Sequence, residues 1–217
     1  PVSIGAMVGP EAFAEVRYLE HEKQMRALEL IPRIADEFKA GFGRDSGGLV
    51  RGYRLDDAET VIVAMGSLLG TIKDTVDEMR AAGVKIGVLG VISFRPFPLA
   101  EVRAALKGAK RVVVVEKTFA VGIGGILATD IRTAMDGISI LDYTVVAGLG
   151  GRPITKKSLH ALFDKAVHDD LPALTFLDLD WNIVNKQLER ERQKRRSGPV
   201  AENILRDVGS SHVAQHS

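Results

Sequence analysis

The chain of 217 residues contains no cysteine. This absence excludes disulfide bonds, a thiolate nucleophile and a cysteine-ligated iron–sulfur cluster within the chain, and it fits a cytoplasmic protein. No apolar run approaches the roughly 20 residues that cross a bilayer, and no signal-peptide pattern opens the sequence. The 29 basic and 28 acidic residues leave a net charge of +1. The whole chain therefore has no charge imbalance that would favour a nucleic acid or a membrane as its partner.

Side chains that commonly perform catalysis are sparse and unpatterned. The five histidines lack the spacing that is typical of metal ligands; they are His21, His160, His168, His212 and His216. No pair of carboxylates stands in a pattern typical of acid–base catalysis. We therefore predict no catalytic residue and no metal site in this chain.

Three regions of the sequence differ in their periodicity. Residues 1–58 carry apolar side chains at spacings of three and four, which predicts a helical lead-in. Pro32 interrupts this pattern, so we expect two helices or one kinked helix. Residues 59–168 alternate between strand-like and helical patterns, and residues 169–217 form a partly helical, charged extension. These boundaries predict one central domain with an appendage at each end.

The central region predicts an α/β fold. Apolar runs predict strands at Thr60–Met65, Lys85–Ile92, Arg111–Glu116 and Ser139–Ala147. Helical patterns alternate with them at Leu68–Ala82, Leu99–Leu106, Gly124–Met135 and Thr155–Val167. Continuous apolar strands separated by helices indicate an open, mostly parallel, doubly wound sheet with helices on both faces.

The extension contains a run of like charges. Residues 186–196 read K-Q-L-E-R-E-R-Q-K-R-R, with six basic and two acidic residues, and this composition predicts a solvated helix. A tail that binds RNA or another anion is the alternative, but no aromatic residues are interleaved to stack on bases. Ser197-Gly198-Pro199 ends the helix, and the apolar segment Val200–Val208 is suited to clasping a partner subunit.

Glycine-rich turns follow three of the predicted strands, where α/β proteins bind ligands. The first turn, Gly66–Gly70, matches neither the dinucleotide fingerprint nor the P-loop, and we predict that Ser67 caps the next helix. The other two turns either contact an anion through backbone N–H groups or only allow a tight turn and close helix packing. The anion-contact candidates there are Gly122, Gly124, Gly125, Gly150, Gly151 and Arg152.

Arg152 is the best single anion contact among these candidates. It is flanked by glycine and lies just before Thr155, which we predict to cap a helix. A separate loop, Phe94-Arg95-Pro96-Phe97-Pro98, combines two aromatic rings and a guanidinium with two prolines that stiffen the chain. The side chains of Phe94, Arg95, Pro96 and Phe97 suit a protein–protein interface, and they equally suit ordinary packing of a crossover connection.

Seven stretches in the same order resemble the C-terminal half of the alpha subunit of pyruvate:ferredoxin oxidoreductase and related 2-oxoacid:ferredoxin oxidoreductases. The resemblance covers about residues 1–165. The matching stretches are Ile4-Gly5 with Pro10-Glu11, Glu15–Tyr18, Glu37-Phe38 with Phe42–Arg44, Gly52–Glu59, Met65–Ser67, Phe94–Pro98 and Gly148–Arg152. The residues after about 170 match no family pattern that we can place.

This resemblance implies a reaction and a set of partners. The family converts a 2-oxoacid, most commonly pyruvate, to its acyl-CoA with release of CO₂ and transfer of electrons to ferredoxin, or runs in reverse as a CO₂-fixing synthase. The assembled enzymes use thiamine diphosphate, Mg²⁺, iron–sulfur clusters and coenzyme A. The resemblance also implies that residues 59–168 are a transketolase C-terminal-like domain, and that residues 1–58 link it to an N-terminal pyrimidine-binding domain.

Three departures from the family pattern limit what this chain does alone. The Tyr-Pro-Ile-Thr-Pro motif near the reacting centre, the Gly-Asp-Gly metal-diphosphate motif and cysteine are all absent. The resemblance therefore implies a structural and interface domain with no cofactor of its own, in an oligomer with the thiamine- and cluster-carrying chains and with ferredoxin as electron partner. A self-contained small-molecule or nucleotide-binding module is the alternative. The sequence selects neither the 2-oxoacid nor the physiological direction.

Overall fold

The computed structural model describes residues 7–193 and 200–213. Ile4-Gly5 of the resemblance and the predicted break at Ser197-Gly198-Pro199 lie outside these residues. The chain divides into two compact units, Pro1–Leu177 and Asp178–Ser217. Within the described residues, no helix combines the length and the apolar character that crossing a bilayer requires.

The described residues of the first unit form a six-stranded sheet, five α-helices and a short 3-10 helix at Leu149–Gly151. The strands are β1 (Val50–Tyr53), β2 (Thr60–Ala64), β3 (Ile86–Val91), β4 (Arg111–Glu116), β5 (Leu141–Val146) and β6 (Leu174–Phe176). The helices are α1 (Phe13–Phe42), α2 (Leu68–Ala81), α3 (Leu99–Leu106), α4 (Ile126–Ala134) and α5 (Lys156–Val167).

The strand order in the sheet is β1-β3-β2-β4-β5-β6. Strand β1 pairs with β3 in antiparallel orientation, and the other neighbours are parallel. Every residue of β2 and β3 is buried, because helices cover both faces and leave no solvated side on which polar residues could alternate. The predicted α/β fold class, an open and mostly parallel sheet between helices, is confirmed.

Two apolar layers hold the helices on the sheet. On one face, α2 and α5 pack over Ile62, Val88, Val113 and Val145, with Phe163 fully buried. On the other face, α3 and α4 pack over inward side chains of the same strands; this layer includes Val61, Val63, Leu89, Val112, Val114, Val102, Leu106, Leu127 and Ile131. The odd and even positions of each central strand thus serve opposite layers.

The sheet extends beyond the predicted range 59–168 on both sides. Strands β1 and β6 escaped prediction because each lies at a sheet edge with exposed residues, so neither shows a continuous apolar run. Helix α1 also differs from expectation. Pro32 lies inside one 30-residue helix, so the two separate helices expected as one alternative do not form. A proline removes one backbone donor, and a helix of this length retains the hydrogen bonds of its remaining turns.

The described part of the second unit forms two helices, α6 (Trp181–Gln193) and α7 (Val200–Val213). The described part of the charged segment is helical, as predicted. Asp207 of α7 accepts hydrogen bonds from Lys186 at 2.9 Å, Gln187 at 3.0 Å and Arg190 at 3.0 Å. The hydrogen bond from Lys186 is the main cause that lowers the pKa of Asp207 below its ordinary value. A polar cluster therefore joins the two helices of this unit.

Candidate functional site

A cleft of about 630 Å³ opens at the carboxyl edge of the sheet. Its walls come from the turns that follow β2, β3, β4 and β5, together with the first turn of α2. Ligands of open α/β sheets bind at this edge, because the connections to successive helices diverge there and leave a crevice. The cleft is therefore the candidate site that the fold itself creates.

The turn after β5 lines the cleft and contains glycines in the left-handed backbone conformation. Gly148 has φ 76° and Gly151 has φ 84°, a region that side chains with a Cβ rarely adopt. Gly148, Gly151 and Arg152 line the cleft, whereas Gly150 does not. Thr155 then caps α5, its side chain accepting a hydrogen bond from the N–H of Ser158 at 3.1 Å. The predicted cap is confirmed, and it starts α5 directly after the cleft wall.

The turn after β2 corrects the prediction for Ser67. Its side chain makes no capping hydrogen bond. The physical reason is its backbone conformation: φ −65° and ψ −23° are already helical, whereas a capping side chain needs the extended conformation to reach the N–H groups ahead of it. Ser67 instead lines the cleft, beside Gly66.

Glu116 is the residue that the sequence analysis missed. It ends β4, is 5% exposed, and lines the cleft. Its carboxylate accepts hydrogen bonds from the N–H groups of Ile126 at 3.0 Å, Leu127 at 2.9 Å and Ala128 at 2.9 Å. A carboxylate at a helix N-terminus satisfies unpaired donors and opposes the helix dipole. Glu116 thus anchors the start of α4.

In the glycine cluster between β4 and α4, Gly125 leaves space for the Glu116 carboxylate. A Cβ on Gly125 would overlap Oε1 of Glu116 and would lie 2.9 Å from Cγ2 of Thr144. None of Gly122, Gly124 and Gly125 lines the cleft. The N–H groups at the start of α4, which an anion would use, already bind Glu116. A charged residue ending an apolar strand, followed by paired glycines before a helix, was the signal in the sequence.

The loop Phe94-Arg95-Pro96-Phe97-Pro98 packs on its own domain. The Arg95 guanidinium donates to both carboxylate oxygens of Asp130 in α4, at 2.9 and 3.2 Å, and lies 4.1 Å from the centre of the Phe94 ring. Phe94 lines the cleft, and Phe97 packs on the layer under α3 and α4. Packing therefore accounts for much of this loop, and its use as an interface stays a prediction.

The cleft offers no set of metal ligands. The part of the chain that the structure describes contains no group of three or more histidine and acidic side chains placed to hold a metal ion. Its chemistry is that of binding: hydroxyls of Ser67, Thr71 and Thr118, the cations Lys117 and Arg152, and apolar walls.

Comparison with known proteins places this fold. Residues 58–159 match the family model described as Pyruvate:ferredoxin oxidoreductase core domain II. The chain carries core domain II of this family. The resemblance inferred from the sequence is thus confirmed. The matched residues run from just before β2 into the first turn of α5.

Curated relatives are similar to this chain over a longer stretch than core domain II alone. Pyruvate synthase subunit PorA of Methanosarcina barkeri is 42% identical over 170 residues, which is 76% of this chain and 42% of the relative. Ketoisovalerate oxidoreductase subunit VorA of Pyrococcus horikoshii is 34% identical over 197 residues, 90% of this chain and 48% of the relative. The chain therefore spans less than half the length of these relatives.

The VorA match extends into the residues after about 170, for which the sequence analysis placed no family pattern. Because 90% of 217 residues is about 195, a match of this extent includes residues well beyond 170.

Among solved structures, the 2-oxoglutarate:ferredoxin oxidoreductase from Magnetococcus marinus with 2-oxoglutarate, coenzyme A and succinyl-CoA bound aligns with a TM-score of 0.46 at 22% identity, over 60% of this chain and 21% of that chain.

Proposed function

We propose that this chain is the core-domain-II part of an alpha-type subunit in a 2-oxoacid:ferredoxin oxidoreductase, and that it acts as a structural and interface domain. The observation that carries the proposal is the 42% identity to PorA over 170 residues, reinforced by the family match at 58–159. The activity of the assembly is oxidative decarboxylation of a 2-oxoacid to its acyl-CoA, or the reverse synthase reaction.

The proposal assigns the cofactors to other parts of the assembly. Thiamine diphosphate with Mg²⁺, the iron–sulfur clusters and coenzyme A are held by the partner chains and domains, and ferredoxin exchanges electrons with the complex in the cytoplasm. The absence of cysteine supports this assignment, because thiolates are the usual ligands of such clusters. The contribution of this chain is positional, since about 1 Å of misplacement between reacting groups can cost about 100-fold in rate.

Helix α1 supports an interface role. It has no buried residue, and large apolar side chains along it are solvent-exposed, among them Leu30, Ile34 and Phe42. We propose that residues 1–58 link and dock this domain to the pyrimidine-binding domain, and that residues 169–217 clasp a neighbouring subunit. The loop at Phe94–Phe97 is a second interface candidate.

Reconstitution tests the proposal. This chain, carrying an affinity tag, is co-expressed with the thiamine-binding and cluster-binding chains encoded in the same genome. We expect these chains to co-purify in fixed proportion, and the complex to reduce ferredoxin when supplied with coenzyme A and either pyruvate or ketoisovalerate. Comparing the two substrates identifies the 2-oxoacid. The proposal is wrong if the tagged chain purifies alone while the other chains assemble without it.

A matched control uses the surface of α1. The variant Ile34→Asp adds one negative charge at an exposed apolar residue of the helix, and Gln24→Asp adds the same charge at an exposed residue that is already polar. We expect Ile34→Asp to reduce co-purification strongly and Gln24→Asp to leave it nearly unchanged. Equal loss in both variants would show that charge alone, rather than apolar docking, explains the effect.

A further inference from the structure

The cleft at the carboxyl edge of the sheet has the size of a small-molecule site and no role in the proposed scaffold function. Its volume of about 630 Å³ lies within the range of roughly 300–1,000 Å³ that is usual for ligand pockets. Four separate turns build it, so its shape is set by the sheet rather than by one flexible loop. A nucleotide-sized molecule fits such a volume.

The charges around the cleft are unequal. Among the described residues that line it, Glu116 is the single carboxylate, and both of its oxygens already accept N–H groups of α4. The helix start therefore offsets its negative charge. Lys117 and Arg152 supply two cations from turns after different strands. Lys117 makes no ion pair with any described residue. The electrostatic preference of the cleft is for an anion.

The polar groups suit a phosphate better than a carboxylate. Ser67 and Thr118 add hydroxyl groups to the lining of the cleft, besides the cations Lys117 and Arg152. These two hydroxyls and two cations come from three different turns. A tetrahedral phosphate presents oxygens in several directions and accepts from donors spread in this way, whereas a planar carboxylate presents two oxygens in one plane.

The remaining wall is apolar. Met65, Leu68, Phe94 and Ile154 contribute side chains to the cleft, and their contact favours a ligand with an apolar or aromatic body. We propose that this cleft binds a phosphorylated small molecule that carries such a body, of the size of a nucleoside phosphate. The inference concerns the isolated chain and does not depend on the proposed subunit function.

Titration calorimetry on the 217-residue chain tests the site with four probes: AMP, ADP, adenosine and inorganic phosphate. Adenosine has the body without the charge, and inorganic phosphate has the charge without the body. We expect AMP and ADP to bind at least about tenfold more tightly than either partial probe, because the cleft offers donors and apolar surface together. Binding of AMP that is no tighter than binding of phosphate overturns the proposal, and so does the absence of AMP binding at millimolar concentration.

Single charge removals locate the binding. Lys117→Ala and Arg152→Ala are each expected to weaken AMP binding by about tenfold, since each removes a charge-assisted hydrogen bond. Lys107→Ala is the control, because Lys107 is exposed at the end of α3, which leads to the opposite edge of the sheet. Unchanged affinity in both cleft variants overturns the proposal. Backbone amide shifts of Gly66, Gly148 and Gly151 on AMP addition provide a second measurement that needs no variant, and we expect them to move more than the amide of Gly108.

The outcome is separable from that of the subunit proposal. A chain that binds AMP and fails to associate with the cofactor-carrying chains contradicts only the subunit proposal. A chain that associates with them and binds no AMP contradicts only the cleft site.

Discussion

Helices α4 and α1 illustrate two different sources of helix stability in one chain. Helix α4 has nine residues, buries four of them and has its first N–H groups bound by Glu116. Helix α1 has thirty residues, buries none, and is preceded by Ala12, which makes no side-chain capping hydrogen bond. Because tertiary packing supplies most helix stability in proteins, the short helix belongs firmly to the fold, and the long one is held mainly by its own backbone.

The contrast supports the proposed docking role of α1. Soluble monomers rarely expose large contiguous apolar patches, and such patches usually mark interaction sites. The side chains of Leu19, Ile34 and Phe42 on α1 are 58%, 50% and 70% exposed. Each of the four helices that cover the sheet buries side chains against it, whereas α1 buries none.

The largest expected effect separates the buried and exposed phenylalanines. Phe163 in α5 is fully buried, and Phe42 in α1 is 70% exposed. Phe163→Ala should lower the free energy of unfolding by about 3–5 kcal/mol, because it removes buried apolar surface and leaves a cavity. Phe42→Ala should change it by less than about 0.5 kcal/mol. Chemical denaturation of the two variants measures both, and equal losses would remove the distinction between the two regions.

A middle-sized effect concerns the anchor of α4. Glu116→Gln replaces one carboxylate oxygen by an NH₂ group that faces N–H donors, and we expect a loss of about 1–3 kcal/mol in the free energy of unfolding. Gly125→Ala should also destabilise the fold, since its Cβ would overlap the Glu116 side chain. The backbone of Gly125, at φ −79° and ψ 146°, suits any residue, so the cost is one of space alone.

A double-mutant cycle shows whether these two residues act together. In the Glu116→Ala background the overlap with the carboxylate disappears, and only the approach of the new Cβ to Thr144 remains. Gly125→Ala should therefore lower the free energy of unfolding clearly less in this background than in the original chain. Additive losses would contradict the assignment of Gly125 as the space for the Glu116 carboxylate.

The sequence predicted the central strands well and the edges poorly, for one physical reason. A strand covered on both faces is apolar along most of its length, so the run Val112–Val115 within β4 is visible without any partner information. Strands β1 and β6 lie at the edges, and their partly exposed residues leave no such run. Their place in the sheet depends on contacts with β3 and β5, which no local pattern records.

The cleft was predictable in position but not in composition. Turns after parallel strands meet at the carboxyl ends of those strands, and Arg152 and Gly66 both line the cleft there. The role of Glu116 depends on where α4 begins in space relative to β4, ten residues earlier in the chain. Ser67 was assigned a capping role from its residue type, and its helical backbone angles, which the residue type does not reveal, exclude that role.

The smallest expected effect gives the sharpest test of the contrast between the regions. Ile34→Ser removes an apolar side chain that is 50% exposed in α1, so the isolated chain should keep its unfolding free energy to within about 0.5 kcal/mol. If α1 docks on a partner, the same change should weaken co-purification with the cofactor-carrying chains, since the side chain would be buried there. Stability measured by denaturation and association measured by co-purification then respond differently to one substitution. A variant that loses stability alone would mean that α1 already packs within this chain, and the interface assigned to it would have to lie elsewhere.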